Sequence, residues 1–296
     1  MQKEFHDLAE LQLNIEADTG EINSSWGNLG YWLSFNQTSD AQRSLAGYPQ
    51  ACGQLARELA NMATLDASHR VLDTGFGCGD QLILWIEEYK VQHLSGINLS
   101  LSQTQHAQNK INKLPLHSKI SVSLNIGDCS HEDSWQELDE KFNRILALDC
   151  IYHFKNKQNY FSLCKQRLKE EGALVVSDLL LARSKMSLWQ NLLLKSICYF
   201  SHIPYQNLKT QEDYLKQLNL LGLTITQQKD ISDNVFIPFG QWLKHYITQI
   251  ENSKKVTHKY SWLKYKGTAR FLAWGYKNNI FKYHLLRIEA MPSEIK

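Results

Sequence analysis

The sequence lacks the features that mark metal-binding, secreted or membrane-spanning proteins. None of its six cysteines lies within four residues of another, so neither a zinc ribbon nor a thioredoxin-type pair is encoded. No apolar run follows the first residues, as it would in a signal peptide. The most apolar stretch, residues 188–200, contains Gln190, Asn191 and Lys195 and is too short and too polar to cross a bilayer. We therefore expect a cytoplasmic protein with reduced thiols and no metal.

The sequence also has no large excess of positive or negative charge and no recognisable linker between domains. With 32 lysines and arginines against 30 acidic residues, the formal net charge is +2, which excludes a globally basic nucleic-acid coat or an acidic tail protein. The five prolines are scattered, and no repeat or low-complexity tract divides the chain. Apolar residues make up 43% of the 296 residues, which is enough to build a sizeable core.

Short apolar runs begin at residue 70 and alternate with helical stretches. The runs lie at residues 70–72, 93–97, 120–126, 144–148, 173–176, 223–225 and 283–288. Spacings of about 20–30 residues between the first five are typical of βα units and predict an open, doubly wound parallel sheet.

Helical spacing also appears outside these units. It covers residues 1–20 and 39–63 and predicts an N-terminal helical cap over residues 1–65, followed by a core over residues 66–296. A further helical segment, residues 185–220, predicts an insertion at about residues 182–221 that covers the carboxyl edge of the sheet.

Residues 73–80, with the sequence DTGFGCGD, place an acid at the end of a strand and then glycine at every second position. Glycine lets the backbone approach a ligand closely because it has no Cβ. A dinucleotide-binding loop needs Gly-x-Gly-x-x-Gly, but Asp80 stands at the third glycine position and would repel a pyrophosphate. The loop therefore suits a cationic or zwitterionic ligand, the alternative being an ordinary strand–helix turn.

This loop resembles the first motif of class I S-adenosylmethionine-dependent methyltransferases, within the group of natural-product O-methyltransferases and cyclopropane-fatty-acid-synthase-like enzymes. The resemblance extends over most of the chain. It implies a Rossmann-like α/β fold with seven strands, the last antiparallel, and S-adenosyl-L-methionine as cofactor with S-adenosyl-L-homocysteine as product. It assigns cofactor binding to Tyr31, Trp32, Asp73, Gly75, Gly77, Gly79, Asn98, Leu99, Gln103, Asp128, Cys129 and Asp149.

Several of these residues also have an ordinary structural interpretation. Asn98 stands where the family usually has an acid that holds the ribose hydroxyls, and an amide can bind them without a charge. Ser100 and Gln103 resemble the start of the family's next helix, where Ser100 is equally a helix N-cap. Asp128 resembles the acceptor of the adenine amino group, and the same residue type forms Asx-turns.

The aromatic pair Tyr31 and Trp32 lies in a segment that resembles the part of the family's N-terminus that folds over the cofactor. Aromatic faces attract a sulfonium ion by cation–π interaction, worth about 0.5–2 kcal/mol each. We expect these two rings to do so, and packing within the cap is the alternative.

A histidine, His153, follows the fourth apolar run, where the mouth of the pocket is expected. It is the natural general base for a hydroxyl acceptor, and the group's sugar and polyketide enzymes often have a histidine here. The resemblance also places an acid, Asp178, after the fifth run, so the two are expected to converge as base and orienter or as two substrate contacts. The alternative is a structural histidine bonded to a backbone carbonyl. Residues 149–152 lack the prolines of enzymes that methylate nucleic-acid bases, so no nucleic-acid partner is expected.

These features predict methyl transfer from S-adenosylmethionine to a hydroxyl of a small, largely apolar molecule. The alternatives are an N- or C-methyltransferase, a cyclopropane-type lipid-modifying enzyme, or a cofactor-binding or membrane-surface module without catalysis.

Residues 253–288 contain nine lysines and arginines and no acid, which indicates a solvated basic helix face or transient contact with an anionic membrane. Residues 188–200 indicate either a lipid-facing helix or a roof over a hydrophobic acceptor. The oligomeric state is left open.

Overall fold

A seven-stranded sheet forms the centre of the computed structural model, which describes residues 8–33, 47–115, 120–138, 140–256 and 261–291. The strands are β1 (Arg70–Thr74), β2 (His93–Asn98), β3 (Ser121–Ile126), β4 (Phe142–Ala147), β5 (Leu168–Leu181), β6 (Leu223–Asp230) and β7 (Phe281–Ala290). Each of the seven predicted apolar runs overlaps one of these strands, and the predicted fold class is confirmed.

The strand order, β3-β2-β1-β4-β5-β7-β6, determines where a ligand can bind. The first five strands are parallel, and β7 lies antiparallel between β5 and β6. The order reverses between β1 and β4, so the connections that leave their carboxyl ends run to opposite sides and open a crevice there. Val71, Leu72 and Ile145 in these two central strands are fully buried, as parallel strands covered on both faces require.

Helices cover both faces of the sheet. The α-helices in the described residues are α1 (Gly47–Met62), α2 (Asp80–Glu87), α3 (Leu101–Ile111), α4 (Lys157–Arg167), α5 (Leu188–Phe200), α6 (Gln211–Leu220), α7 (Ser232–Asn252) and α8 (Leu263–Lys277). Side chains of α1, α2, α3, α7 and α8 join one apolar core, and those of α4 and α6 join a second core. This two-sided packing is what the alternation of strands and helices predicts.

The N-terminal segment is less helical than its sequence spacing predicts. Within residues 8–33 the structure describes one helical element, a 3₁₀ helix at Leu8–Asn14. The side chain of Asn14 donates to the Trp26 carbonyl at 2.9 Å, and the Ile15 amide donates to the Tyr246 hydroxyl on α7 at 3.1 Å. These tertiary hydrogen bonds replace those of a longer helix. The second predicted helical segment contains α1, while residues 1–7 and 34–46 lie outside the described residues.

The helical segment between β5 and β6 contains both α5 and α6, and it leaves and returns at the carboxyl end of β5. The Leu181 amide, in the last residue of β5, donates to the Lys209 carbonyl at 2.8 Å. The α6 side chains Tyr214 and Leu218 are buried against the sheet, so α6 belongs to the core layer. The part that stands apart is therefore α5 with the 3₁₀ turn Tyr205–Asn207.

The basic C-terminal region forms α8 and part of β7. On α8, Phe271 and Leu272 are buried, whereas Lys264, Lys266 and Arg270 are exposed. This distribution is that of an amphipathic helix with a solvated basic face. Among the described residues, no helix combines the length and the apolar composition needed to cross a membrane.

Candidate active site

The glycine-rich loop joins β1 to α2 at the carboxyl edge of the sheet. Gly75, Gly77 and Gly79 have φ values of 79°, 56° and 90°, which residues with a side chain rarely adopt. A Cβ built on Gly75 would lie 2.7 Å from the Cys150 Sγ, and one built on Gly79 would lie 2.6 Å from the Ala107 Cβ. A Cβ on Gly77 would meet no atom within 4 Å. The loop is therefore tightly packed at its ends and presents bare backbone to open space at its middle.

The two side chains between these glycines, Phe76 and Cys78, are turned inward. They are 1% and 3% exposed, and the Phe76 ring packs so closely on β2 that it lies 2.7 Å from a Cβ built on Gly96. Beside them, the Gly75 amide donates to the Ile97 carbonyl at 2.7 Å. The bend is thus supported from beneath, and its open backbone fits a ligand that must approach closely, as expected for S-adenosylmethionine.

The Asp73 carboxylate has hydrogen-bond partners within the protein, and its expected contact with the cofactor stays a prediction. It is 0% exposed and accepts hydrogen bonds from Gln81 Nε2 at 2.9 and 3.0 Å and from Trp85 Nε1 at 2.7 Å. Both donors lie on α2, so the side chain anchors this helix beneath the loop. Burial raises the pKa of Asp73 to about 6, and these hydrogen bonds only partly oppose the rise.

Replacing Asp73 with asparagine should benefit stability more at high pH than at low pH. Because the pKa in the folded state is raised, the contribution of the carboxyl group to stability is fully present below its unfolded pKa of about 4. That contribution is lost as the pH rises through about 6. Urea unfolding at about pH 5 and about pH 8 should show the unfolding free energy of Asp73→Asn, relative to the wild type, improving by about 1 kcal/mol at the higher pH.

The control for this experiment is Asp66→Asn. Hydrogen bonds from Ser68 lower the pKa of Asp66, which lies largely exposed in a turn before β1. The carboxyl group is therefore ionised over the whole range tested, and this variant should show no comparable shift. An equal pH dependence for both variants would contradict the role given to burial at Asp73.

Asn98 and Gln103 form a buried pair at the end of β2. Asn98 Oδ1 lies 3.4 Å from the Gly77 amide, which donates to it, and its Nδ2 donates to Gln103 Oε1 at 3.1 Å. The Asn98 amide thus both accepts from the glycine loop and donates to Gln103, using its acceptor and its donor at once. Ser100 caps α3 by accepting from the Gln103 amide at 3.3 Å, while the Leu99 side chain is 58% exposed beside them. The structure thus brings the predicted residues of β2 against the glycine loop.

The end of β3 carries Asp128 and Cys129. Asp128 Oδ1 accepts from the Ser130 amide at 2.9 Å, which is the Asx-turn, and its Oδ2 lies 3.6 Å from Lys155 Nζ. The Cys129 Sγ donates to the Ile97 carbonyl at 3.6 Å, and burial raises the pKa of this thiol. Asp128 therefore has a structural partner and remains a candidate acceptor for an amino group.

Asp149, just after β4, joins three parts of the chain. Its φ is 55°, and its carboxylate accepts hydrogen bonds from the Leu29 amide at 2.8 Å, the Tyr152 hydroxyl at 2.7 Å and the Tyr283 hydroxyl. The Asp149 amide donates to the Ser177 hydroxyl at 2.7 Å. The carboxylate thereby fixes the N-terminal segment against the site. Burial raises the pKa of both tyrosines well above the usual value, which keeps them protonated as donors.

Tyr31 and Trp32 have packing partners in the cap. Lys229 Nζ on β6 lies 5.2 Å from the centre of the Tyr31 ring, and the Trp32 and Trp242 ring centres are 5.5 Å apart. Their amides donate to the carbonyls of Ala51 and Asn234, at 2.7 and 2.8 Å. The structure thus supports the packing alternative for both rings, because one already faces a cation and the other lies against α7.

His153 ends a 3₁₀ helix, Ile151–His153, that follows β4. Its Nδ1 lies 3.3 Å from the His202 carbonyl, just beyond α5. Since a carbonyl only accepts, a hydrogen bond there requires a proton on Nδ1 and makes Nε2 the basic atom of the neutral ring. A histidine bonded to a backbone carbonyl was the structural alternative for His153. The same hydrogen bond also selects the tautomer that a general base needs.

The segment that carries His153 lies against the glycine loop. The Cys150 Sγ donates to the Thr74 carbonyl at 3.1 Å, and the Phe154 ring lies 3.9 Å from a Cβ built on Gly75. The structure thus brings His153 to the same edge of the sheet as the predicted cofactor loop.

Asp178, which was expected to act with His153 or to contact the substrate, pairs with a lysine, Lys157, in this structure, and the expected role stays a prediction. Asp178 is 0% exposed, its Oδ2 lies 2.7 Å from Lys157 Nζ, and its Oδ1 accepts from the Leu179 amide at 2.8 Å. The carboxylate is satisfied inside the core because Lys157 reaches it from the start of α4. Burial lowers the pKa of Lys157, while the charge of Asp178 opposes the change.

Asn207 connects this buried pair to the general-base candidate. Lys157 Nζ donates to the Asn207 carbonyl at 3.0 Å. The Asn207 side chain then donates to the carbonyls of Tyr152 and Phe154, at 3.0 and 2.7 Å. These are the two residues on either side of His153. Through Asn207, the Lys157–Asp178 ion pair therefore positions the backbone that carries His153. Neither the charge of Lys157 nor its spacing from other residues indicates this role in the sequence.

The fold and this edge of the sheet define a class I S-adenosylmethionine-dependent methyltransferase. The family model described as "Mycolic acid cyclopropane synthetase" matches residues 48–275, and the chain belongs to this family. The enzyme is thus a methyltransferase, and its cofactor is S-adenosylmethionine.

Individual relatives differ in the acceptor that their names describe. An erythromycin 3''-O-methyltransferase from Saccharopolyspora erythraea is 27% identical over 253 residues, which cover 82% of this chain and 76% of the relative. The structure of a mycolic acid cyclopropane synthase with S-adenosylhomocysteine and CTAB has a TM-score of 0.71 at 15% identity, covering 96% and 95% of the two chains. A geranyl diphosphate C-methyltransferase from Streptomyces coelicolor has a TM-score of 0.67 at 14% identity, covering 90% and 88%. These structures share the fold of this chain.

Proposed function

We propose that this enzyme transfers a methyl group from S-adenosylmethionine to a hydroxyl of a small, largely apolar molecule, with His153 as general base. The observation that carries the proposal is the hydrogen bond of His153 Nδ1 to a backbone carbonyl, next to the glycine loop. It orients the ring and makes Nε2 the atom that accepts a proton. The similarity to an erythromycin 3''-O-methyltransferase supports a hydroxyl acceptor.

The residues that would hold the cofactor are the backbone of Gly75 and Gly77, the Asn98 amide and the Asp128 carboxylate. They follow three adjacent strands, β1, β2 and β3, and so line one edge of the sheet. When bound, S-adenosylmethionine supplies an electrophilic methyl group on a sulfonium ion. We expect the main contribution of the protein to be alignment of the acceptor and exclusion of water.

The cap and the α5 segment serve that exclusion. Leu29 is held over the site by the Asp149 carboxylate, and the His202 carbonyl holds the other side through His153. A hydroxyl that enters between them would lose its proton to His153 Nε2 as the methyl group is transferred. The lack of proline in residues 149–152 supports a small-molecule acceptor. All six cysteines are present as thiols rather than disulfides, which supports work in the reducing cytoplasm.

A second candidate function is modification of a lipid alkene, as the name of the matching family suggests. The two functions make different demands on His153. An alkene attacks the methyl group first, and the resulting carbocation loses a proton afterwards as the ring closes, whereas a hydroxyl gives up its proton to a base as the methyl group is transferred.

Matched acceptors of one carbon skeleton would distinguish these functions. The purified protein is incubated with S-adenosylmethionine and an apolar alcohol, the corresponding primary amine or the corresponding alkene, and products are identified by mass spectrometry. We expect a methyl ether from the alcohol and little product from the other two. Modification of the amine or the alkene, with the alcohol unchanged across several skeletons, would contradict the proposal.

A further inference from the structure

The outward face of α5 carries a contiguous set of large apolar side chains. They are 44% to 82% exposed and comprise Leu188, Trp189, Leu192, Leu193, Tyr199 and Phe200. Residues three to four or seven to eight positions apart share one face of a helix, so these side chains form one stripe along it. We call this set the α5 stripe. A continuous apolar patch of this kind indicates an interaction surface, whereas single exposed apolar residues do not.

The opposite face of α5 is already committed to the protein. Leu194 and Cys198 are 0% and 1% exposed and join the core. The Tyr205 hydroxyl donates to Asn191 Oδ1 at 2.9 Å, and Ser187 closes a capping box at the start of the helix. The stripe therefore lies on the side of α5 that does not pack on the core, and it is open to solvent in this structure.

The charge within the segment that carries the stripe has a single sign. Residues 179–211 contain Arg183, Lys185, Lys195 and Lys209 and no acidic residue, and the next acids, Glu212 and Asp213, belong to α6. Trp189 lies near one end of the helix and Tyr199 near the other, and both side chains have the amphipathic character that suits a membrane interface. An apolar stripe with aromatic residues and flanking cations is typical of a helix that lies in the plane of an anionic bilayer surface.

We propose that the α5 stripe docks this enzyme on anionic lipid bilayers. His202, two residues beyond α5, binds His153 through its carbonyl, so a docked helix brings the general-base candidate close to the membrane. An apolar acceptor dissolved in the bilayer can then reach the site with little exposure to water. The docking goes beyond the proposed function, because it is measured without any acceptor or methyl transfer.

Co-sedimentation of the full chain with vesicles tests the proposal. The vesicles are phosphatidylcholine alone or phosphatidylcholine mixed with phosphatidylglycerol. The variant Leu188→Ser removes a side chain that is 82% exposed on α5, and the control Leu220→Ser removes one that is 83% exposed at the end of α6. We expect Leu188→Ser to weaken binding to the anionic vesicles about tenfold, since it removes a buried leucine from the bound state. The control should bind as the wild type does.

The charge of the surface is tested with Lys195→Gln, which should weaken anionic binding about fivefold, and with salt, which should also weaken it. Three results would overturn the proposal: equal binding to neutral and anionic vesicles, equal loss for Leu188→Ser and Leu220→Ser, or a dimer that Leu188→Ser dissociates while vesicle binding is unchanged. Circular dichroism confirms that each variant is folded. Calorimetry with S-adenosylhomocysteine on the same samples shows separately whether the cofactor site is intact.

Discussion

His153→Gln should lower the turnover number for a hydroxyl acceptor by about 10²–10⁴-fold, the usual contribution of a positioned base. Glutamine is close in size to histidine but cannot accept the proton, so the loss should appear in kcat while cofactor affinity changes little. In the wild type, the rate should fall as acidic pH protonates Nε2, and this fall should be absent from the residual rate of the variant. Initial rates over a range of pH, together with calorimetry of S-adenosylhomocysteine binding, provide the measurement.

The matched control for this variant is His93→Gln. His93 begins β2 at the opposite edge of the sheet and is exposed, so its replacement should leave both the rate and the pH profile unchanged. A His153→Gln enzyme that methylates an alcohol at the wild-type rate would show that another group removes the proton. If the variant lost cofactor affinity as well, the role of His153 would be binding and the proposed chemistry would fail.

Lys157→Met should lower the free energy of unfolding by about 3–5 kcal/mol, because it leaves the Asp178 carboxylate buried without its partner. Both side chains are nearly inaccessible, 2% and 0%, and the pair is 2.7 Å apart. Adding Asp178→Asn should restore most of the loss, since an amide removes the buried charge and can still accept from the Leu179 amide. Urea unfolding of the two single variants and the double variant measures the coupling.

Lys216→Met provides the control for that cycle. Lys216 also lies 2.7 Å from its carboxylate partner, Glu212, but the two side chains are 65% and 78% exposed. Breaking this exposed pair should not change stability measurably. If Lys157→Met were equally silent, the buried pair would not anchor Asn207 and the backbone around His153. If the double variant Lys157→Met/Asp178→Asn were stable but methylated the acceptor slowly, the ion pair would have the role described above, which is to position the backbone around His153.

The features that were predictable from the sequence are those that local patterns encode. Each strand of the sheet appears as a short apolar run, because parallel strands covered by helices bury both faces. The glycine loop was recognisable because glycine at every second position after a strand permits a bend that residues with a side chain rarely adopt. His153 was found from its place after the fourth run. In each case the signal lies within about ten residues of the feature.

The partners of the buried polar groups were not predictable, because they depend on how elements pack. The sequence suggested cofactor binding by Asp73 but gave no sign that Gln81 and Trp85, one turn apart on α2, donate hydrogen bonds to it. Asp178 was expected to act with His153 as base and orienter or to contact the substrate, and its hydrogen bond with Lys157 was not foreseen. For Tyr31 and Trp32 the sequence left cofactor contact and packing within the cap open, and it did not reveal their partners on β6 and α7, about 200 residues away in the chain.

The position of β7 has a consequence for synthesis on the ribosome. This strand lies between β5 and β6, and its Tyr283 donates to Asp149, 134 residues earlier. During translation, β6 therefore has no neighbour in the sheet until β7 emerges. In a nascent chain, the glycine-rich loop is synthesised long before Tyr283, which completes the hydrogen bonds to the Asp149 carboxylate. Release of the polypeptide before Phe281 would leave β5 and β6 without the strand that pairs with both, and Asp149 without the Tyr283 hydroxyl.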